Sequence, residues 1–195
     1  MKSFDELLEE ATRIHGHVCA GQVIGVRMSM LALTYLKLYD PKGADRKKLY
    51  VLVEIDRCAT DAIQTVTGCS LGKRSMRWVD HGVMAATFVN LETKEAVRVT
   101  ALEESRELSK KYCSDVFDKY VRQLQAYKVM PEEELFRVEA VTVDIPEENL
   151  PGRPLKRVRC ETCLDWVQDK RDVQIDGKIL CRGCAYGRYY TLSNK

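Results

Sequence analysis

Three groups of cysteine and histidine carry the chemistry this 195-residue sequence could do. The first is His15-Gly16-His17-Val18-Cys19-Ala20-Gly21, which packs two of the three histidines and one of the eight cysteines into five residues. Imidazole and thiolate together suit zinc and other borderline-soft metals. The plain alternative is a turn with surface histidines and a core cysteine. The second group is Asp56-Arg57-Cys58-Ala59-Thr60-Asp61, followed by the glycine-punctuated Thr67-Gly68-Cys69-Ser70-Leu71-Gly72-Lys73. The third is Cys160-x-x-Cys163 and Cys181-x-x-Cys184, separated by seventeen residues, a spacing typical of four-cysteine zinc sites.

The third group is the most specific. Each Cys-x-x-Cys turn aims two sulfurs at one point, and four thiolates leave a tetrahedral Zn2+ no open position, so the metal is structural. An iron centre or two disulfides are the alternatives. Between the pairs, Trp166-Val167 and Val173-Gln174-Ile175 flank polar residues, Asp176-Gly177 favours a tight turn, and Cys184 to Tyr190 suits a short helix. A knuckle, a hairpin and a helix in that order describe a treble-clef-like module. Arg153, Lys156, Arg157, Arg159 and Arg182, with Tyr186, Tyr189 and Tyr190, are of the types that touch nucleic acid. A solvated face or a dimer contact is the favoured reading of them.

Cys19 and Cys58 each directly precede a predicted helix, whose positive N-terminal end favours thiolate. If His17, Cys19 and Cys58 converge, they give three ligands and one open position, the layout of a catalytic metal. Asp61 is then a base or a partner behind a ligand, and Cys19, Cys58 and Asp61 are the catalytic candidates. Cys69 and Lys73, in a loop with exposed amides, are candidates to contact an anionic substrate or cofactor. Asp56 reads as a helix cap, His81 as a turn residue and Cys113 as core.

The elements that must position these residues follow from periodicity. Phe4, Leu7, Leu8, Ala11 and Ile14 form one helical face, and Ser3 with Glu6 is a capping box; Gly16 ends the helix. Residues 20–38 are apolar nearly all round, which predicts a buried helix, and Gly21 and Gly25 bare one flank to a neighbouring backbone. Residues 49–55 read as a strand and 59–66 as a short helix. Residues 84–91 and 96–102 read as a hairpin turning at Glu92-Thr93-Lys94. A long helix over 103–127 has a break near Cys113-Ser114-Asp115, Pro131 opens a helical turn over 132–136, and 138–145 reads as a strand. Pro146, Pro151, Gly152 and Pro154 mark a linker. The expected fold is therefore α+β: a core domain over 1–148 with a mixed or antiparallel sheet packed with helices, a linker over 149–159, and the four-cysteine module over 160–195.

Hydrophobic content of 45% and charged content of 31% are those of a globular protein. No apolar run approaches the ~20 residues of a membrane span, and the acidic, amphipathic start is no secretory signal. A cytoplasmic protein without a membrane partner is expected, and its cysteines point to metal or thiol chemistry rather than a disulfide scaffold. The net charge of +2 is divided, because residues 151–195 hold ten Lys/Arg against five Asp/Glu. A mildly acidic body carries a basic tail.

Taken together, His15 to Gly21, Cys58 to Cys69 and Gly72-Lys73 resemble the E-subunit family of formylmethanofuran dehydrogenase. The resemblance covers most of residues 10–100, and the four-cysteine module is similar to the zinc finger that some members carry. Ala20 departs from it, since proline usually follows the cysteine there. The resemblance implies an α+β core, usually a homodimer, with a cleft built from the HGHxC and CxxDA…TGC segments. His15, His17, Cys19, Cys58, Asp61 and Cys69 carry over as cleft residues, with His15 a cofactor contact. It also implies a link to one-carbon, methanogenesis-type metabolism through a molybdenum or tungsten oxidoreductase complex, although members occur in organisms without methanogenesis. Two readings result. One is an accessory or metal/thiol-dependent redox enzyme subunit with a second metal ion in its core. The other is a ligand-binding or regulatory protein whose basic finger contacts a protein partner or nucleic acid.

Overall fold

Ser3 starts the first helix, α1 (Phe4–His15), through the anticipated capping box. Its hydroxyl accepts from the Glu6 amide, while the Glu6 carboxylate accepts from the Ser3 amide. Leu7, Leu8 and Ala11 bury the inner face. Gly16 closes the helix at φ 94°, a left-handed conformation that costs glycine nothing. His15 is thereby the last helical residue, and His17 lies just beyond the stop. The computed structural model describes residues 1–193 and divides into two units, Met1–Asp144 and Ile145–Lys195.

In the first unit, α2 (Ala20–Tyr35) is buried on nearly every face by Val23, Ile24, Val26, Met28, Ala32 and Leu33. It stops short of the expected Leu38. Lys37 turns left-handed at φ 56°, and the Leu38 amide bonds back to the Leu33 carbonyl at 2.9 Å, so a Schellman motif closes the helix. The third helix, α3 (Cys58–Thr67), crosses α2 at Gly25. A Cβ at Gly25 would lie 2.4 Å from the Ala59 carbonyl oxygen and 2.7 Å from the Ala62 Cβ. The bare flank read from the sequence is thus a backbone-to-backbone contact. Helix α1 packs on both α2 and α3.

These helices cover one face of a five-stranded mixed sheet made of β1 (Leu49–Val53), β2 (Met76–Trp78), β3 (Ala85–Asn90), β4 (Ala96–Ala101) and β5 (Phe136–Val141), in the order β2-β1-β3-β4-β5. Strand β2 runs parallel to β1, and the other pairs are antiparallel. Val51 lies opposite Phe88, and Phe88 opposite Val97. With Val53, Ala86 and Val99 they form the sheet's side of the core. The long helix expected over 103–127 is two helices, α4 (Ser105–Tyr112) and α5 (Lys119–Val129). The break lies at the Cys113 region as anticipated, and Asp118 restarts the chain by accepting from the Tyr120 and Val121 amides. A single turn, α6 (Glu132–Leu135), follows with Pro131 at its cap. Strand β5 ends at Val141, opposite Ala96, because there its partner β4 begins.

The second unit is built from short pieces. Strands β6 (Arg157–Arg159) and β7 (Trp166–Gln168) form one hairpin around the first cysteine pair. Strands β8 (Val173–Ile175) and β9 (Lys178–Leu180) form another. Its turn puts Asp176 at φ 50° and Gly177 at φ 78°, the two left-handed residues that a tight hairpin turn needs. Helix α7 (Arg182–Tyr186) begins at the second pair, with Cys181 as its cap, and Gly187 stops it before the expected Tyr190. Among the described residues of this unit only Cys160 and Leu180 are buried apolar side chains, too few to hold a fold by burial. Among the described residues, no helix is long and apolar enough to cross a membrane. The fold is α+β with a C-terminal four-cysteine cluster.

Candidate metal centres

Three elements of the first unit deliver its chemistry to one place. Helix α1 ends on His15, the Gly16 stop turns the chain back through His17, and Cys19 caps the start of α2. His15, His17 and Cys19 each put one ligand atom within 4.8 Å of the others, and the two imidazole centroids are 4.6 Å apart. Asp61, in the first turn of α3, places its Oδ2 2.7 Å from His15 Nδ1. A carboxylate there holds the Nδ1 proton, so the lone pair lies on Nε2. That Nε2 is buried, and among the described residues no group hydrogen-bonds it. A half-buried imidazole held by a carboxylate on one nitrogen, with the other nitrogen buried and unpaired, is the arrangement of a metal-ligating histidine.

Cys58 opens α3 beside this group. Burial first, and Cys19 second, push the Cys58 thiol above its ordinary value. Glycine at position 21 allows the approach. A Cβ there would lie 3.0 Å from the Cys58 Cβ and 3.7 Å from the Cys19 Sγ.

The ligand group differs in one member from the expected His17, Cys19 and Cys58. His15 joins His17 and Cys19, while Cys58 lies against Cys19 but outside that group of mutually close ligand atoms. The sequence signal for His15 was available in its spacing from His17. Its partner Asp61, 46 residues away, is what singles it out as a candidate. The structure does not bring Cys69 and Lys73 to this site. Gly68 ends α3 at φ 70° and sends Cys69 into the core, 3% exposed, where its thiol donates to the Leu49 carbonyl and burial raises its pKa. Lys73 Nζ donates to the Gly68 carbonyl within its own loop, at 2.8 Å. Asp56 does not cap α3; Arg57 occupies the cap, with no side-chain hydrogen bond. His81 Nδ1 lies 3.4 Å from Glu54, which Arg98 clamps through two bonds of 2.7 and 2.8 Å. Cys113 packs against the core.

In the second unit Cys160, Cys163, Cys181 and Cys184 gather their sulfurs within 4.8 Å, with Cys163 and Cys181 Sγ 3.7 Å apart. All four are free thiols, not disulfides. The Cys163 backbone amide foremost, aided by those of Cys181 and Thr162 against the cost of burial, draws the Cys160 thiol down to about 6. Cys181 Sγ accepts from the Cys184 amide at 3.3 Å, and the Arg188 guanidinium donates to Cys184 Sγ at 3.6 Å. Donors aimed at sulfur favour thiolate, so the cluster can hold a metal such as zinc.

A family described as "FmdE, Molybdenum formylmethanofuran dehydrogenase operon" matches residues 14–137, which include the whole histidine–cysteine cleft. A "Probable S-adenosyl-L-methionine-binding protein" of Archaeoglobus fulgidus is 32% identical over 206 aligned positions, covering 95% of this chain and 54% of that protein. The chain thus spans about half the length of that curated relative. A tungsten formylmethanofuran dehydrogenase E-subunit (FmdE)-like protein from Syntrophus aciditrophicus shares the fold, with a TM-score of 0.65 at 22% identity over 97% of this chain and 96% of that one. On the span and content of these matches, the chain belongs to the FmdE family.

Proposed function

We propose that this FmdE-family protein binds metal at two centres of opposite character. Cys160, Cys163, Cys181 and Cys184 hold a structural Zn2+, because four thiolates close its coordination. His15, His17 and Cys19 hold a second ion in the core and leave a position for a ligand. The observation that carries this reading is His15 Nε2, buried and without a hydrogen-bond partner while Asp61 holds Nδ1. Two imidazoles and a thiolate select zinc or another borderline-soft ion over magnesium or calcium. An ion bound there would supply a Lewis-acid centre with an open position. The chain's own contribution is Asp61, which orients His15, and Cys58, whose thiol lies against Cys19 at the edge of the site.

On this reading the core performs a metal- or thiol-dependent step, as an enzyme or as an accessory subunit of a redox complex in one-carbon metabolism. The family's name supports that setting, and a homodimer is the assembly we expect. Elemental analysis of wild-type and Cys19→Ala protein tests it. Two metals per chain should fall to one in the variant, whereas one metal in both removes the core centre.

The match over nearly the whole chain to a protein named for S-adenosyl-L-methionine binding favours a second reading, a ligand-binding protein without a reaction of its own. Calorimetric titration with S-adenosyl-L-methionine separates the two. Binding that is indifferent to core metal and to Cys19→Ala supports the second reading.

A further inference from the structure

Gln22 is fully buried, at 0% exposure, in the first turn of α2, where its backbone amide bonds the Cys19 carbonyl at 3.0 Å. Its side chain leaves that helix and donates from Nε2 to the Cys58 carbonyl at 2.6 Å. The orientation of the amide is fixed, because a carbonyl only accepts and the NH2 group must face it. The other end, Oε1, is buried and receives no hydrogen bond from the described residues. A buried amide left half unsatisfied is a poor way to stabilise a core, since an apolar side chain of the same shape would avoid the desolvation of Oε1.

We propose that Gln22 is a positioning residue of the core site: it ties the first residue of α3 to the first turn of α2 and so presents the Cys58 thiol to Cys19. Cys58 has its carbonyl and its Cβ on one residue, so pinning the carbonyl sets where the Cβ lies and from where the thiol reaches toward Cys19. Two further contacts are consistent with a join built for this purpose. Gly21 lies where any Cβ would meet the Cys58 Cβ at 3.0 Å, and the same Cβ would lie 3.7 Å from the Cys19 Sγ. Neither Cys19 nor Arg57 caps its helix with a side-chain hydrogen bond. The inference rests on the reading of the Cys19 cleft as the functional site, but it is tested without metal.

The test uses the full chain stripped of metal and treated with diamide. Two thiols lose two electrons and two protons as their S–S bond forms, and the azo N=N bond takes up both as it is reduced to the hydrazine. Proteolysis and mass spectrometry then follow the Cys19–Cys58 pair, with pairing among Cys160, Cys163, Cys181 and Cys184 as an internal clock. Gln22→Met keeps the volume and removes the tie. We expect Cys19–Cys58 pairing to slow at least tenfold relative to that clock, with the melting temperature of the core unchanged or raised. Pairing at the wild-type rate in Gln22→Met overturns the proposal. If that variant does not fold, hydrogen exchange of the Gln22 side-chain amide in wild-type protein decides. Protected Nε2 protons support the tie, and exchange at the rate of free glutamine overturns it. Because no metal enters this assay, a wild type that loads only one metal refutes the core metal centre without touching this result.

Discussion

The two cysteine centres are held in opposite ways. Around Cys160, Cys163, Cys181 and Cys184 the protein offers short hairpins and one short helix, and almost nothing apolar is buried. A metal bound there would have to hold the fold. Around His15, His17 and Cys19 the relation is reversed. Helices α1, α2 and α3 pack on the sheet over a core that includes Leu7, Val23, Ile63, Val51 and Phe88, and that packing brings the ligands together. A centre that creates its fold is spent on structure. A centre that the fold creates can leave a position open.

The largest effect expected from this contrast is on metal removal. Cys160→Ser, or a strong chelator applied to wild type, should abolish ordered structure in Ile145–Lys195, because metal binding and folding are one event in such modules. Met1–Asp144 should persist, its amides still protected in hydrogen exchange read by mass spectrometry. Loss of protection throughout the chain would break the contrast, since the core too would then depend on metal.

The converse perturbation strikes the core through its packing. Gly25→Val places a Cβ 2.4 Å from the Ala59 carbonyl oxygen, where backbone, not a flexible side-chain end, must give way. Destabilisation of the core transition by about 3 kcal/mol in urea is expected, at the upper end of overpacking costs. Metal content of the four-cysteine cluster should not change. Core metal occupancy should fall with the fold, because α2 and α3 carry Cys19 and Asp61 toward each other across this contact.

The same contrast explains what was legible in the sequence. The Ser3–Glu6 box, the Gly16 stop, the β3–β4 hairpin, the Asp176-Gly177 turn and the two Cys-x-x-Cys pairs are local devices, decided within a few residues. The four-cysteine centre is a sum of such devices, so its ligand set could be read directly. The core centre is not. What suits His15 to bind metal depends on Asp61, 46 residues away, and that Cys69 is core depends on where Gly68 turns the chain. Strand β2, at three residues, is too short for an alternation to show; it exists because β1 and α3 place it beside a buried strand. Periodicity finds elements, whereas the meeting of a helix end with another helix's first turn is a tertiary outcome.

The smallest effect, and the sharpest, concerns Asp61. Its carboxylate is half exposed, at 54% for the side chain, while the His15 ring it holds is 14% exposed. The bond therefore lies at the rim of the site, where water competes for the carboxylate, and its loss should leave the fold intact. What it controls is the tautomer and tilt of His15. Asp61→Asn keeps an oxygen that can accept from Nδ1, yet removes the charge that makes Nε2 a better donor. Partners of this kind behind a ligand are worth about 10–100-fold in metal affinity; solvent exposure and the surviving acceptor place Asp61→Asn near the lower value. Competition with a chromophoric chelator measures it, with the four-cysteine centre in the same chain as the internal reference. A tenfold weaker core centre beside an unchanged cluster is the expected result. Equal weakening at both centres would mean that Asp61 acts on the stability of the whole chain and not through His15.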